Sequence, residues 1–257
     1  MMLDGTYVLL LYLSVVAFAA FVEGFTGLGF GIIVMAGIAF TSCDLERFTL
    51  VLTLLLMFLN STIIWAGRKE SKIEWRTAGL ILVGEALGVP IGYGFILHFG
   101  KQPVFRFALG IVLILFAINH IFRPQIKKAL NNSLGILIGL ISGFIAGAFA
   151  AAGPLIALFV YSRHRDAVGA KLTLQVLFFS ASICRLISIL IWGEGITMNI
   201  LKLTGIGIPI VFIFAVIGHF VTRRVSHGVF LKIVFISIGL SGFVNVLRAL
   251  REYGLLM

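Results

Sequence analysis

The stretch Glu23–Gly37, EGFTGLGFGIIVMAG, decides the fold because it interrupts an otherwise continuous apolar run. Five of its fifteen residues are glycine, and one is a carboxylate. Glycine weakens the interior of a helix, and a charged side chain in the hydrocarbon of a bilayer is costly. The stretch therefore predicts a local break in the helix rather than one regular membrane span.

The overall composition is that of a membrane protein. Of the 257 residues, 60% are hydrophobic and 12% are charged, whereas a soluble domain carries about 25% charged residues. Apolar runs of about 18–25 residues recur along the chain, and each is long enough to cross a bilayer as a helix. The opening MMLDGTYVLL has no basic region and no cleavage site, so we expect it to begin the first membrane segment.

Charge and cysteine usage argue against other classes of protein. The net charge of +10 comes from basic residues grouped in particular loops, which indicates membrane orientation rather than a nucleic-acid partner. Cys43 and Cys184 lie in different segments, so the chain predicts neither a disulfide framework nor a metal site. No nucleotide-loop Lys-Ser/Thr pair follows the glycines, and we expect no cofactor.

Two of the apolar segments have lengths that do not suit a simple span. The opening segment, Thr6–Thr41, would be about 54 Å long as one helix, which exceeds a hydrocarbon core of about 30 Å. It is nevertheless short for two full spans and a turn, and Leu134–Val160 has the same problem. Both are expected to be broken or re-entrant helix pairs. The other segments read as single spans: Leu45–Ala66, Thr77–Phe99, Val104–Phe122, Val168–Trp192, Met198–Val221 and Val229–Leu250.

The basic loops set the predicted orientation. Four of them, around Arg68–Arg76, Arg123–Lys128, Arg163–Lys171 and Arg223–Lys232, are assigned to the cytoplasm by the positive-inside rule. Each half of the chain then contains one broken helix pair and three spans, and the two halves have opposite orientation. The predicted fold is an all-α polytopic membrane protein with about 8–10 membrane helices. Two inverted-topology repeats, 1–125 and 126–257, form one membrane domain of the inner cell membrane, with both termini outside.

The two breaks together predict an anion site. GFTGLGFG from Gly24 resembles GAFAAAGP from Gly147, and short helices that meet inside a membrane direct free N–H groups towards an anion. The alternative use of small residues is helix packing, which the four-residue spacing of Gly84, Gly88 and Gly92, and of Gly135 to Gly147, favours. The residues expected to bind substrate at the breaks are Gly24, Thr26, Gly27, Gly29, Phe30, Ala152, Gly153 and Pro154.

Polar residues within the spans are further candidates. Arg185 can bind an oxyanion, and its alternatives are to reach the outer interface or to pair with Glu85 or Glu23. Gln175 and Asn60 either line the pathway or form interhelical hydrogen bonds. Glu23 is either a proton carrier or the partner of an arginine, and Glu85 is expected to be structural.

The order of several motifs resembles the TauE/SafE family of sulfite exporters. These are GFTGLGFG, then SKIEWR before LVGEALGVPIGYGFIL, then VFRFALGIVLILF, and a second small-residue motif past the midpoint. The resemblance implies an exporter of sulfite or of a small organosulfonate such as sulfoacetate, with a two-repeat fold. Ala150, Ala151 and Ala152 stand where glycines are usual. Because alanine resists left-handed backbone angles, the second break is expected to be an ordinary helix start.

These observations predict a secondary transporter, not an enzyme, that exports a small anion by alternating access at a midplane site between the repeats. Its expected partners are the anion, membrane lipid and, as a further option, another copy of the chain. The alternatives are a passive anion channel, a membrane-embedded enzyme and a scaffold subunit. Scattered histidines and few intramembrane carboxylates do not resemble a catalytic set.

Overall fold

The computed structural model describes residues 6–38, 45–69, 71–122, 131–151, 153–163, 166–193, 195–221 and 228–254. Cys43, much of the basic loops and the boundary proposed at residue 125 lie outside these ranges. Ten helices lie within them: α1 (Thr6–Thr26), α2 (Phe30–Ile38), α3 (Leu45–Gly67), α4 (Trp75–Phe99), α5 (Pro103–Phe122), α6 (Asn132–Phe149), α7 (Pro154–Arg163), α8 (Ala167–Trp192), α9 (Met198–Val221) and α10 (Gly228–Glu252).

The helices have the length and polarity of membrane spans. In the described part of the chain, α1, α3, α4, α8 and α9 each contain a stretch that is long and apolar enough to cross a bilayer. Shorter apolar stretches occupy Pro103–Asn119 and Leu134–Phe149. The predicted all-helical, multi-pass membrane protein is therefore confirmed.

Both overlong segments are broken, as their length predicted. α1 and α2 are separated by Gly27, Leu28 and Gly29, and the two glycines have φ angles of 84° and 120°. L-residues with a side chain rarely adopt such angles, so glycine permits this turn. The break after α6 contains Ala150 at φ 52°, in the left-handed region. The expectation that alanine would avoid that conformation is wrong. α7 does begin at Pro154, where a missing N–H costs nothing.

The glycine faces bring helix backbones into contact, as predicted for packing. A Cβ on Gly88 would lie 2.2 Å from the carbonyl oxygen of Leu140, and one on Gly147 would lie 2.1 Å from that of Val89. α4 and α6 therefore touch along both glycine rows. Gly24 approaches α9 in the same way, since its Cβ would lie 2.2 Å from the Ala215 oxygen. Small residues at these positions allow the close approach.

The most extensive helix contacts are preserved when α1–α5 are matched in order to α6–α10. The pair α1–α9 then becomes α6–α4, and α3–α9 becomes α8–α4, while α3–α8 and α5–α10 map onto themselves. α3 and α8 are antiparallel, because Arg185 reaches Thr49 and Thr53 while Leu172 packs on Gly67. An inverted repeat would produce this pattern, and the division into residues 1–125 and 126–257 stays a prediction.

Candidate functional site

The two helix breaks meet each other. A Cβ on Gly31 would lie 2.1 Å from the carbonyl oxygen of Ala150, so the first turn of α2, directly after the first break, touches the second break. A cavity of about 30 Å³ lies beside this contact, which is room for about two waters. Its wall comes from both breaks and from facing residues of α3, α6 and α8. The lining residues are Glu23, Gly29, Phe30, Gly31, Ile32, Thr53, Leu56, Ala146, Ala150, Ala151, Phe178, Ala181, Ser182 and Arg185.

Glu23 spans the first break. Its side chain is 1% exposed, and one carboxylate oxygen accepts a hydrogen bond from the backbone N–H of Phe30 at 2.7 Å. Phe30 is the first residue of α2, so the carboxylate lies at the positive end of that helix. Among the described residues, no arginine pairs with Glu23, and the interpretation of Glu23 as an arginine's partner is wrong. Its role as a proton carrier stays a prediction.

Gln175 and Lys171 connect this network to α8. The side-chain amide of Gln175 donates to the other oxygen of Glu23 at 3.0 Å and to the carbonyl oxygen of Gly27 at 2.8 Å. The ammonium of Lys171 donates to the carbonyl oxygen of Gly24 at 2.6 Å and interacts electrostatically with Glu23. The predicted interhelical hydrogen bond of Gln175 is confirmed, and α8 thereby holds the first break in shape.

Arg185 provides the positive charge of the cavity wall. It is 1% exposed, so it does not reach the outer interface as one alternative required. Its guanidinium donates to the carbonyl oxygen of Thr49 at 3.2 Å, to Thr49 Oγ1 at 2.7 Å and to Thr53 Oγ1 at 3.0 Å. The Tyr93 ring lies 5.8 Å from it. Within the described residues no carboxylate forms an ion pair with Arg185, so the alternative of pairing with Glu85 or Glu23 is wrong.

The guanidinium retains donors for a ligand. Of its five N–H groups, three are engaged with α3. The Nε–H has no hydrogen-bond partner within the described structure although it is buried. That N–H and one further N–H are the donors that a planar guanidinium offers to two oxygens of an oxyanion. The first turn of α2 offers two more donors, the N–H groups of Gly31 and Ile32. Both precede the first hydrogen bond of the helix, from the Ile33 N–H to the Gly29 oxygen, so neither has a partner within the helix.

The other predicted substrate contacts lie outside the cavity wall. The hydroxyl of Thr26 lies 2.8 Å from the carbonyl oxygen of Val22 and 2.7 Å from that of Leu28. It donates its one proton to one of these oxygens and so stabilises the end of α1. Asn60 is fully buried, and neither atom of its amide has a hydrogen-bond partner in the described structure. The hydrogen-bonding interpretation of Asn60 is therefore wrong, while its pathway role stays a prediction. Gly24, Gly27 and Gly153 shape the breaks without lining the cavity. Pro154 begins α7, and Ala152 lies outside the described residues.

Several residues of the site were not predicted. Thr49 and Thr53 hold Arg185, and Ser182 and Leu56 line the cavity. A signal for the threonines was present in the sequence, because Thr49, Thr53 and Asn60 share one helix face at spacings of four and seven residues. No group of three or more His, Cys, Asp or Glu side chains that could hold a metal occurs in the described ranges.

Membrane-length helices, interrupted by two breaks that meet beside a buried cavity, are typical of membrane transporters. A family model described as "Sulfite exporter TauE/SafE" matches residues 12–245. The match spans most of the chain, so the protein belongs to this family of membrane transporters for sulfite and related sulfur anions. Searches of curated proteins and of solved structures gave no match.

Proposed function

We propose that this protein is a secondary transporter that exports sulfite or a small organosulfonate such as sulfoacetate, and that the anion binds in the cavity between the two helix breaks. The observation that carries the proposal is Arg185, a buried cation whose described partners are all neutral and whose Nε–H is unpartnered. A buried charge without a counter-ion is costly. A bound oxyanion would supply both the charge and the acceptors.

The charges around the cavity favour an anion over a cation. Glu23 and Arg185 are the charged side chains of its wall, and Lys171 interacts electrostatically with Glu23. Because the Lys171 ammonium offsets the carboxylate, the charge of Arg185 is available to a substrate. Glu23 also occupies the N–H of Phe30, so the anion would use the Arg185 side of the cavity and the N–H groups of Gly31 and Ile32.

The size of the cavity supports alternating access. A volume of about 30 Å³ is about two waters, so an anion with an organic tail needs the helices to move apart. In the proposed mechanism the inverted halves, residues 1–125 and 126–257, rock against each other and open the site first to one side and then to the other. The membrane potential favours exit of an anion by about 2.3 kcal/mol per charge per 100 mV, so export requires no coupled cation.

Localisation follows from the same proposal. The protein would lie in the inner cell membrane with both termini outside, and its basic loops would face the cytoplasm. The proposal also places the cavity near the midplane of the membrane, and it includes an assembly of identical copies without enzymatic activity.

A thermal-shift panel on the purified protein tests the proposed function. Sulfite, thiosulfate, sulfoacetate, taurine and isethionate are added separately, and we expect at least one sulfur oxyanion to raise the melting temperature. If none of them does, the anion site is refuted and a scaffold role gains support. Counterflow in liposomes then separates carrier from channel, because only a carrier accumulates labelled substrate against unlabelled substrate on the other side.

A further inference from the structure

Glu85 is a second buried carboxyl group that the proposed transport mechanism does not use. It lies on α4 and is 1% exposed. Oε2 is 3.2 Å from the hydroxyl of Ser180 on α8, and Oε1 has no hydrogen-bond partner in the described structure. Ser180 Oγ is also 2.8 Å from the carbonyl oxygen of Leu177. Since a hydroxyl has one proton to donate, a Glu85 carboxylate would receive at most one neutral hydrogen bond.

Glu23 shows how this protein stabilises a buried carboxylate. That group accepts hydrogen bonds from the Phe30 N–H and the Gln175 amide and has Lys171 nearby. Glu85 has no such set among the described residues. As a carboxylic acid, however, Glu85 would donate its proton to Ser180 Oγ, and Ser180 would donate to the Leu177 oxygen. The short chain of hydrogen bonds is then complete without a buried charge.

Among the described residues of the helices around Glu85, none forms an ion pair with it. Glu85 packs against Gly143 of α6, where a Cβ would lie 2.9 Å from the Glu85 Cα. α6 has no titratable residue, but its Ser142 is buried and its hydroxyl has no hydrogen-bond partner in the described structure. The charged or titratable residues of the other helices in contact with α4 are Arg106 and His120 of α5, Tyr161 and Arg163 of α7, and Lys171, Cys184 and Arg185 of α8.

Glu85 lies directly behind the wall of the anion cavity. Ser180 precedes Ala181 and Ser182, which line that cavity, and Ala146 of α6 lines it as well. Val89, one turn after Glu85, packs with Ala146 and Ala181. A negative charge at Glu85 would repel an anion in the cavity through this thin layer, and a proton would remove the repulsion.

We propose that Glu85 holds an exchangeable proton at the junction of α4, α6 and α8, and that this proton is bound more tightly when the cavity contains an anion. The linkage to the anion rests on the proposed function, whereas the proton at Glu85 does not. Because linkage is reciprocal, protonation of Glu85 increases the affinity for the anion by the same factor. The site thus makes anion binding sensitive to pH through a residue that does not contact the anion.

Infrared spectroscopy of the ligand-free protein tests the proton. We expect a carboxylic-acid C=O band in the wild type that disappears in Glu85→Gln and persists in Glu252→Gln, a control for an exposed carboxylate paired with Arg106. A spectrum of Glu85→Gln identical to that of the wild type would overturn the assignment. Glu85→Met, which also lacks a titratable group, repeats the comparison in case the glutamine variant does not fold.

Calorimetry tests the linkage. Methanesulfonate is the probe, because unlike sulfite it keeps the same charge at mildly acidic and mildly alkaline pH. At a pH where the infrared band shows that Glu85 is partly ionised in the ligand-free protein, titrations in two buffers of different ionisation enthalpy should show proton uptake by the wild type. The affinity for methanesulfonate should fall at least about fivefold as the pH rises and Glu85 loses its proton. Proton uptake should be lost in Glu85→Gln and kept in Glu252→Gln.

The two proposals fail in different ways. Proton uptake that survives in Glu85→Gln but is lost in Glu23→Gln would overturn the linkage and assign the proton to Glu23. If the wild type binds neither methanesulfonate nor any member of the thermal-shift panel, the proposed function and the linkage fail together. The infrared band decides the proton at Glu85 in either case.

Discussion

Replacing Arg185 by lysine should weaken binding of the transported anion by about 10- to 100-fold. Lysine keeps the charge but offers a compact ammonium in place of a planar guanidinium. With three guanidinium donors engaged with Thr49 and Thr53, the free edge supplies two hydrogen bonds to an oxyanion. Loss of one charge-assisted bond costs about 1.5–3 kcal/mol, and each 1.4 kcal/mol is about tenfold in affinity.

A graded series makes the argument quantitative. Arg185→Ala removes both bonds and should weaken binding by about 100-fold or more. Thr53→Val keeps the guanidinium and removes one of its anchors, so the loss should stay below about tenfold. The matched control is Arg106→Ala, since Arg106 forms a partly exposed ion pair with Glu252 at 2.7 Å. Exposed pairs contribute about 0–1 kcal/mol, and the control should bind the anion normally.

The assay is equilibrium binding of the anion that raises the melting temperature of the wild type, measured by calorimetry on purified variants. Each variant is first shown to elute and unfold as a folded protein. If Arg185→Lys and Arg185→Ala both bind within twofold of the wild type, Arg185 does not contact the substrate. An equal loss in Arg106→Ala would also refute the reasoning, because it would reveal a general effect of surface charge.

Two further pairs of substitutions test the fold by thermal unfolding in detergent. Gly88→Ala places a Cβ 2.2 Å from a backbone oxygen of α6 and should lower the free energy of unfolding by about 1–3 kcal/mol. Gly94→Ala, where a Cβ would have nothing within 4 Å, should raise it by about 0.5–1 kcal/mol through helix propensity. Equal effects of the two substitutions would contradict the packing. Ala150→Gly relieves a left-handed alanine at φ 52° and should raise the free energy of unfolding by about 1 kcal/mol. Ala148→Gly, inside α6, should lower it. The reverse order would show that Ala150 is unstrained.

The sequence alone predicted the helices and the positions of both breaks. Span length is a one-dimensional property, because a bilayer of fixed thickness limits how many residues a single helix can use. The excess length of Thr6–Thr41 and Leu134–Val160 was therefore enough to require a break in each. The alternating glycines and Pro154 were enough to place them, and the four-residue glycine rows identified the faces through which α4 and α6 touch.

Backbone strain was less predictable. Ala150 adopts a left-handed conformation that its own chemistry disfavours. The carbonyl oxygen of Ala150 is in close contact with Gly31, which is more than one hundred residues away in the sequence. Local conformational propensity contains no information about such a contact. Tertiary contact thus overrides the preference of the residue.

The partners of the buried charges were decided by tertiary structure alone. The sequence identified Glu23, Gln175 and Arg185 as polar residues in apolar spans, but it allowed Glu23 to pair with an arginine. The structure joins Glu23 to Phe30 and Gln175 and gives Arg185 to Thr49 and Thr53. Hydrogen bonds depend on positions within a few tenths of an ångström. Hydrophobic periodicity fixes which face of a helix is buried but not which side chain lies opposite, so only the packed bundle decides the pairing.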